Sequence, residues 1–276
     1  MIAIVGVAVA GATGAFFSDT ETSTGNTFSA GAIDLLIDNS SYYNGEVSEG
    51  TSWYQPVNLE DGVHFFFNFG DLKPGDWGED TISLHIDNNP AWLCSNFTLT
   101  SNDDVSSIEP ELGDGDDEDV PDDLWDGELA QAITFIWWAD DGDNVLEDDE
   151  DVISEGPLGS APQNVPVVVT LADSTNNIWN GEANSPLIAT GTPRYIGKAW
   201  CFGEITLNKV TQDESGDQIN PTGEQGPGFT CNGAGLDNRT QTDTVTADIS
   251  FYAVQSRNNG DFVCGEISQP EPPTEV

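Results

Sequence analysis

Basic residues are nearly missing from this chain: its 276 residues include 6 Lys and Arg against 49 Asp and Glu, a formal net charge of −43. Such a surface repels phosphate, so no nucleic-acid partner is expected and anionic lipid is disfavoured. Histidine is as scarce. Only His64 and His85 occur, and there is no H-E-x-x-H. A zinc centre needs several ligands converging at about 2 Å. Both histidines therefore read as core or surface residues, and a secreted metalloprotease is the weakest reading. No C-x-x-C pair offers a metal or redox centre. Carboxylates are so abundant that an apparent acid–base pair arises by chance, so no catalytic residues are expected. Long apolar runs are lacking too: residues 2–12 are too short for a permanent bilayer span.

What is present is material for a core and for strands. Hydrophobic residues make up 37% of the chain, with 13 Phe and 8 Trp, enough for one sizeable domain. Residues 27–38 and 81–87 alternate as half-buried strands do. Residues 63–69, 96–100, 133–138, 165–171, 195–207 and 245–255 are strand-like in composition, and residues 128–132 suit a short helical turn. Asn44-Gly45, Lys73-Pro74-Gly75-Asp76 and Asn88-Asn89-Pro90 are turn signals. Short strands between turns predict an all-β, jelly-roll-like β-sandwich, one domain over residues 29–268 with long acidic loop insertions. The largest insertion, about residues 101–127, carries Gly113-Asp114-Gly115-Asp116-Asp117-Glu118-Asp119. It is expected to bury nothing and to be mobile or ion-binding. The Pro- and Glu-rich tail, residues 269–276, is expected to be disordered.

Four cysteines, Cys94, Cys201, Cys231 and Cys264, suit an exported protein. Three pairings are open; Cys201 with Cys231 is preferred because it closes a short loop, leaving Cys94 with Cys264. Residues 1–15 read as a secretion signal lacking its positive start, with small residues Gly14-Ala15 at a plausible cleavage point. Asn39, Asn96 and Asn238 each open an N-x-[ST] glycosylation triplet.

So many like charges destabilise a compact state unless cations collect on it, which predicts a salty or calcium-containing exterior. The run from Ala139 to Glu150 matches a calcium loop of the EF-hand kind. With Ala139 first, Asp141, Asp143, Glu147 and Glu150 fall at positions 3, 5, 9 and 12, and Val145 offers a carbonyl at position 7. Leu146 takes the core-facing position, and Asn144 replaces the sharp-turn glycine. Alanine cannot ligate at position 1, where Asp140 is the substitute. The expected calcium ligands are thus Asp140, Asp141, Asp143, Val145, Glu147 and Glu150; the rival is a solvated turn.

Three segments carry a family resemblance. The first runs Ala15-Phe16-Phe17-Ser18-Asp19 and on to Asn26-Thr27-Phe28-Ser29-Ala30-Gly31-Ala32-Ile33-Asp34-Leu35. The second is Leu72-Lys73-Pro74-Gly75-Asp76 with the strand ending in Asn88-Asn89. The third is Phe251-Tyr252-Ala253-Val254-Gln255. In this order they resemble the biofilm-fibre (TasA) and camelysin family. The resemblance implies a jelly roll, export through a dedicated signal peptidase, and self-assembly into an extracellular fibre. It implies that residues 16–28 fill a neighbouring copy's sheet as a donated strand, with Phe16, Phe17, Thr20, Thr22, Thr24 and Phe28 as its contacts. Apolar residues at a freed terminus favour such burial, and threonines favour extended backbone. A monomeric cell-surface module binding carbohydrate or a partner is the alternative.

Overall fold

The computed structural model describes residues 33–116, 119–211 and 226–266. The signal segment, the donor-strand residues Phe16, Phe17, Thr20, Thr22, Thr24 and Phe28, and the tail 269–276 lie outside them.

Strand β1 (Asp34–Tyr43) turns into β2 (Glu46–Val47) through Asn44 and Gly45. Both turn residues have positive φ, 49° and 82°, as a two-residue hairpin turn requires. β3 (Trp53–Val57) returns along β1, and β4 (Trp77–Asp87) pairs with β1 over its whole length. After Asn88 (φ 73°) the chain re-enters as β5 (Ala91–Asp104). Two short helices, α1 (Glu109–Gly113) and α2 (Leu129–Ala132), precede β6 (Ile133–Asp140), β7 (Val152–Pro157) and β8 (Val167–Ala172). β9 (Arg194–Phe202), β10 (Glu204–Leu207), β11 (Phe229–Asn232) and β12 (Asp243–Gln255) complete the order.

These strands form antiparallel sheets, and the fold is all-β. A seven-stranded sheet runs β2-β1-β4-β9-β6-β7 with β3 also on β1, a three-stranded sheet runs β12-β5-β8, and β10 pairs with β11. The two larger sheets share one core. Ile82 and Leu84 of β4, Trp137 of β6 and Ile196 of β9 meet Leu93 of β5 and Leu171 of β8. Burying such side chains is worth roughly 1.5–3 kcal/mol each. The cysteines pair as the short loop favours: Cys201–Cys231 joins β9 to β11, and Cys94–Cys264 joins β5 to the segment after β12.

Three local expectations are corrected. Residues 63–69 are not a strand but an irregular crossing. Phe66 plunges deepest, at 6% exposure, against Trp53 and Phe251 (ring centroids 5.2 and 5.9 Å), with Phe67 and Phe69 partly buried and Val63 and Phe65 exposed. The segment plugs the side of the sandwich between β3 and β12. β4 is not half-buried either: residues 78–84 are buried on both faces, because the strand lies mid-sheet and the loop after β6 covers its outer face. Finally, the acidic insertion starts later than expected and is largely exposed from residue 105 on, with one acid turned inward. β5 continues through Asp104 (2% exposed), and Glu111 of α1 is fully buried.

Candidate functional site

The loop from Asp140 to Glu150 folds onto the outer face of the large sheet. Leu146, fully buried, packs with Ile136, Trp138, Ala199 and Phe229, the apolar anchor that such a loop needs. Asn144 adopts φ 69°, the left-handed conformation that asparagine tolerates. Its Oδ1 accepts from the Thr81 amide at 3.1 Å, and its own amide donates to Thr81 Oγ1 at 3.0 Å. On the other side the loop is clamped by backbone. Leu146 N donates to Pro227 O (3.0 Å), Val210 N to Leu146 O (3.1 Å) and Asp148 N to Val210 O (2.8 Å). Gly228 fits only because it lacks a side chain: a Cβ there would stand 2.1 Å from Leu146 O.

Within this frame the carboxylates separate into two roles. Asp140 is spent on structure. Its Oδ1 accepts from Trp138 Nε1 (2.9 Å), and its Oδ2 from Thr81 Oγ1 and Gly142 N (both 3.0 Å). It therefore does not substitute for the missing first ligand, and Asp140 falls outside the gathered set. Asp141, Glu147 and Glu150 are the ones brought together, with one carboxylate oxygen from each all within 4.8 Å of one another. Glu150 bridges the loop ends, accepting from Asp141 N at 3.0 Å and Glu147 N at 2.8 Å. Asp143 is 1% exposed; its Oδ1 accepts from Val145 N at 2.9 Å, and its Oδ2 has no hydrogen-bond partner. Val145 is fully buried.

The electrostatic consequence is severe. Burial, followed by the charges of Asp140, Asp141 and Glu147, pushes the Asp143 carboxyl up to about 8. Burial and then Asp140 push Glu150 up to about 10. Asp140 itself is raised to about 7, chiefly by burial.

Sequence reasoning missed two acids buried on β4, of which Glu79 faces this loop and Asp80 the space between the sheets. Their exposures are 0% and 1%. Asp80 forms an ion pair with Lys198 of β9, also fully buried, and accepts from Asn39 Nδ2 at 3.0 Å. Neither oxygen of Glu79 has a hydrogen-bond partner, and burial, then Asp140 and Asp80, raise its pKa well above the usual value. Acidic residues interrupting an otherwise apolar strand, Gly78-Glu79-Asp80-Thr81, were the available signal.

A second acidic gathering joins Asp104, Glu111 and Asp243. Here hydrogen bonds answer most of the oxygens. Glu111 accepts from Ile108 N (2.7 Å) and Thr242 Oγ1 (3.1 Å), Asp104 from Ser106 N (3.2 Å), and Asp243 from Glu128 N and Leu129 N (2.7 and 2.8 Å). Nearby Glu128 is raised to about 7 by burial and then by a carboxyl–carboxyl hydrogen bond with Asp116.

The remaining sequence-derived candidates scatter. His85 Nε2 lies 2.7 Å from Asp38 Oδ2, and His64 Nδ1 accepts from Glu60 N at 3.0 Å; the two histidines do not converge with other ligands among the described residues. Asn39 (0% exposed) and Asn96 (8%) are buried, so of the three glycosylation triplets the folded domain presents only Asn238. No helix among the described residues is long and apolar enough to cross a membrane.

One further feature was not foreseen: an open side of the sandwich, opposite the Phe66 plug. β7 and β8 end their respective sheets there. Between them runs a groove of about 150 Å³ floored by Phe97, Phe135, Trp137, Leu158, Val167 and Val169. Val165 and Val168 beside it are exposed. No protein-family model and no curated protein matches the chain.

Proposed function

We propose that this chain is a secreted structural subunit of the TasA and camelysin kind, without catalytic activity, which polymerises head to tail into a surface or matrix fibre. In this reading residues 16–28 of one copy enter the groove between β7 and β8 of the next. The groove is the observation that carries it. Edge strands offer unpaired main-chain groups to an added strand, and the aromatic floor suits Phe16, Phe17 and Phe28 as alternate side chains. The opposite side is plugged by Phe66. A heterologous contact of this kind does not close on itself, so it yields filaments. Two disulfides suit an oxidising exterior, and passage through a signal peptidase and the jelly-roll topology belong to the same proposal.

Electron microscopy of the mature protein tests it. Deleting residues 16–24 should leave a folded monomer that forms no fibres; filaments of normal length from that deletion would refute the reading. Val167→Asp should block assembly with the N-terminal segment intact, because the charge would meet an apolar floor without a partner.

A further inference from the structure

We infer that Asp141, Glu147 and Glu150, with Asp143 beside them, form a calcium site whose ion locks the loop after β6 against the chain segments at Val210 and Pro227. The assignment is independent of fibre assembly and uses no residue of the β7–β8 groove.

Distances come first. Calcium binds oxygens at about 2.3–2.6 Å, so two oxygens on one ion stand at most about 5 Å apart. One carboxylate oxygen each of Asp141, Glu147 and Glu150 lies within 4.8 Å of the others, close enough for one ion to reach all three with small side-chain adjustments. Three acidic residues alone would be unremarkable in a chain of net charge −43. The independent observation is Asp143. It is 1% exposed, its Oδ2 has no hydrogen-bond partner, and the charges that act on it are those of Asp140, Asp141 and Glu147. Burying a carboxylate oxygen unanswered costs several kcal/mol. The chain places one there, in contrast to Asp80, whose buried charge it answers with Lys198.

The ligand chemistry selects the ion. The donors are carboxylate oxygens with no imidazole or thiolate, which suits hard cations rather than zinc or copper. A flexible set of six to eight oxygens, completed by backbone carbonyls or water, is calcium's preference, whereas magnesium demands a tight octahedron and retains its waters. Asp140 is not a ligand. It positions the loop through Trp138, Thr81 and Gly142.

The loop is also a clasp. Backbone bonds join Leu146 to Pro227 and Val210, and Lys209 Nζ donates to the Glu150 carbonyl. An ion on Glu147 and Glu150 therefore stiffens the contact with both flanks of residues 212–225.

Titration of the full chain with calcium, and separately with terbium, tests the assignment. Terbium luminescence should be sensitised by Trp138, whose ring nitrogen lies 2.9 Å from Asp140 at the loop's root. Calcium should raise the melting temperature beyond sodium or magnesium at matched ionic strength, which supply mainly screening. The isosteric Glu147→Gln/Glu150→Gln variant should weaken calcium binding by roughly a hundredfold or more, since affinity follows ligand charge. Glu111→Gln, in the other acidic gathering, should bind as the natural chain does. Equal protection by calcium, magnesium and sodium would overturn the inference. So would undiminished calcium binding by the double variant, or sensitised terbium that Glu111→Gln abolishes and Glu147→Gln/Glu150→Gln does not. Should the double variant not fold, Asp143→Asn alone gives the same reading: weakened calcium binding supports the site, and unchanged binding refutes it.

Discussion

The two acidic gatherings differ in who answers the charge. Around Glu111, amides and a threonine hydroxyl answer most of the oxygens, Asp243 Oδ1 excepted, and the carboxylates act as caps that hold α1 and α2 to the ends of β5 and β12. Around Glu150 the amides answer some oxygens, yet Asp143 Oδ2 and both oxygens of Glu79 are left over. Acid count does not separate the two regions; the depth of the unanswered oxygens does, since Asp143 and Glu79 are almost wholly buried and Asp243 only partly. A buried carboxylate already bonded to amides is structure, and one without donors implies a proton or a cation.

A third carboxylate sets the scale, and it predicts the largest effect. Asp80 is neutralised inside the chain by Lys198. Lys198→Met should therefore strand a buried charge and cost about 3–5 kcal/mol in denaturant unfolding. A loss below about 1 kcal/mol would mean that the pair is not the limiting case described here. Next comes Glu111→Ala, which orphans the Ile108 amide and the Thr242 hydroxyl. A loss of about 1–3 kcal/mol is expected, with the calcium increment intact. If the calcium increment vanished instead, the contrast between the two gatherings would collapse.

The smallest effect concerns pH. Glu128 ionises at about 7 in the folded chain, from an ordinary value of 4.5, and Asp243 at about 6 from 3.8. The folded state holds these protons more tightly than the unfolded chain. Their cost is thus absent below the ordinary values, grows between about pH 4 and 7, and is complete above that window. Glu128→Gln, which cannot ionise, should be more stable than the natural chain at pH 8 and lose most of that advantage by pH 5. Melting curves at the two pH values check this, and an advantage independent of pH would argue against the shared proton with Asp116.

Much of the fold was legible because local signals agreed with the tertiary outcome. Asn44-Gly45 is a hairpin turn, the alternation after Gly31 became β1, and residues 245–255 lie within β12. In the loop after β6, the spacing of Asp141, Glu147 and Glu150 and the left-handed Asn144 could be read directly. The role of Asp140 could not, since its donors Thr81 and Trp138 come from β4 and β6. Residues 63–69 misled because aromatic composition is shared by strands and by plugs. Within the exposed insertion, Glu111 and the end of β5 at Asp104 misled in the opposite direction. Charge predicts solvation only when no amides are available, and there the turns of α1 and α2 supply them. Glu79 and Lys198 stayed hidden because no sequence pattern pairs β4 with β9 in register.

The bond between Cys94 and Cys264 spans 170 residues of sequence. It closes a covalent ring that holds most of β5 and every strand from β6 to β12, including both walls of the groove. Strands β1 to β4 lie outside that ring. Under the proposed assembly, a load applied at the N-terminus and met at the groove acts on β1 to β4 first, since they lie between the pulled end and the disulfide. In that reading the first contact to shear is β1 along β4, paired over the whole of β1, before any strand held within the ring.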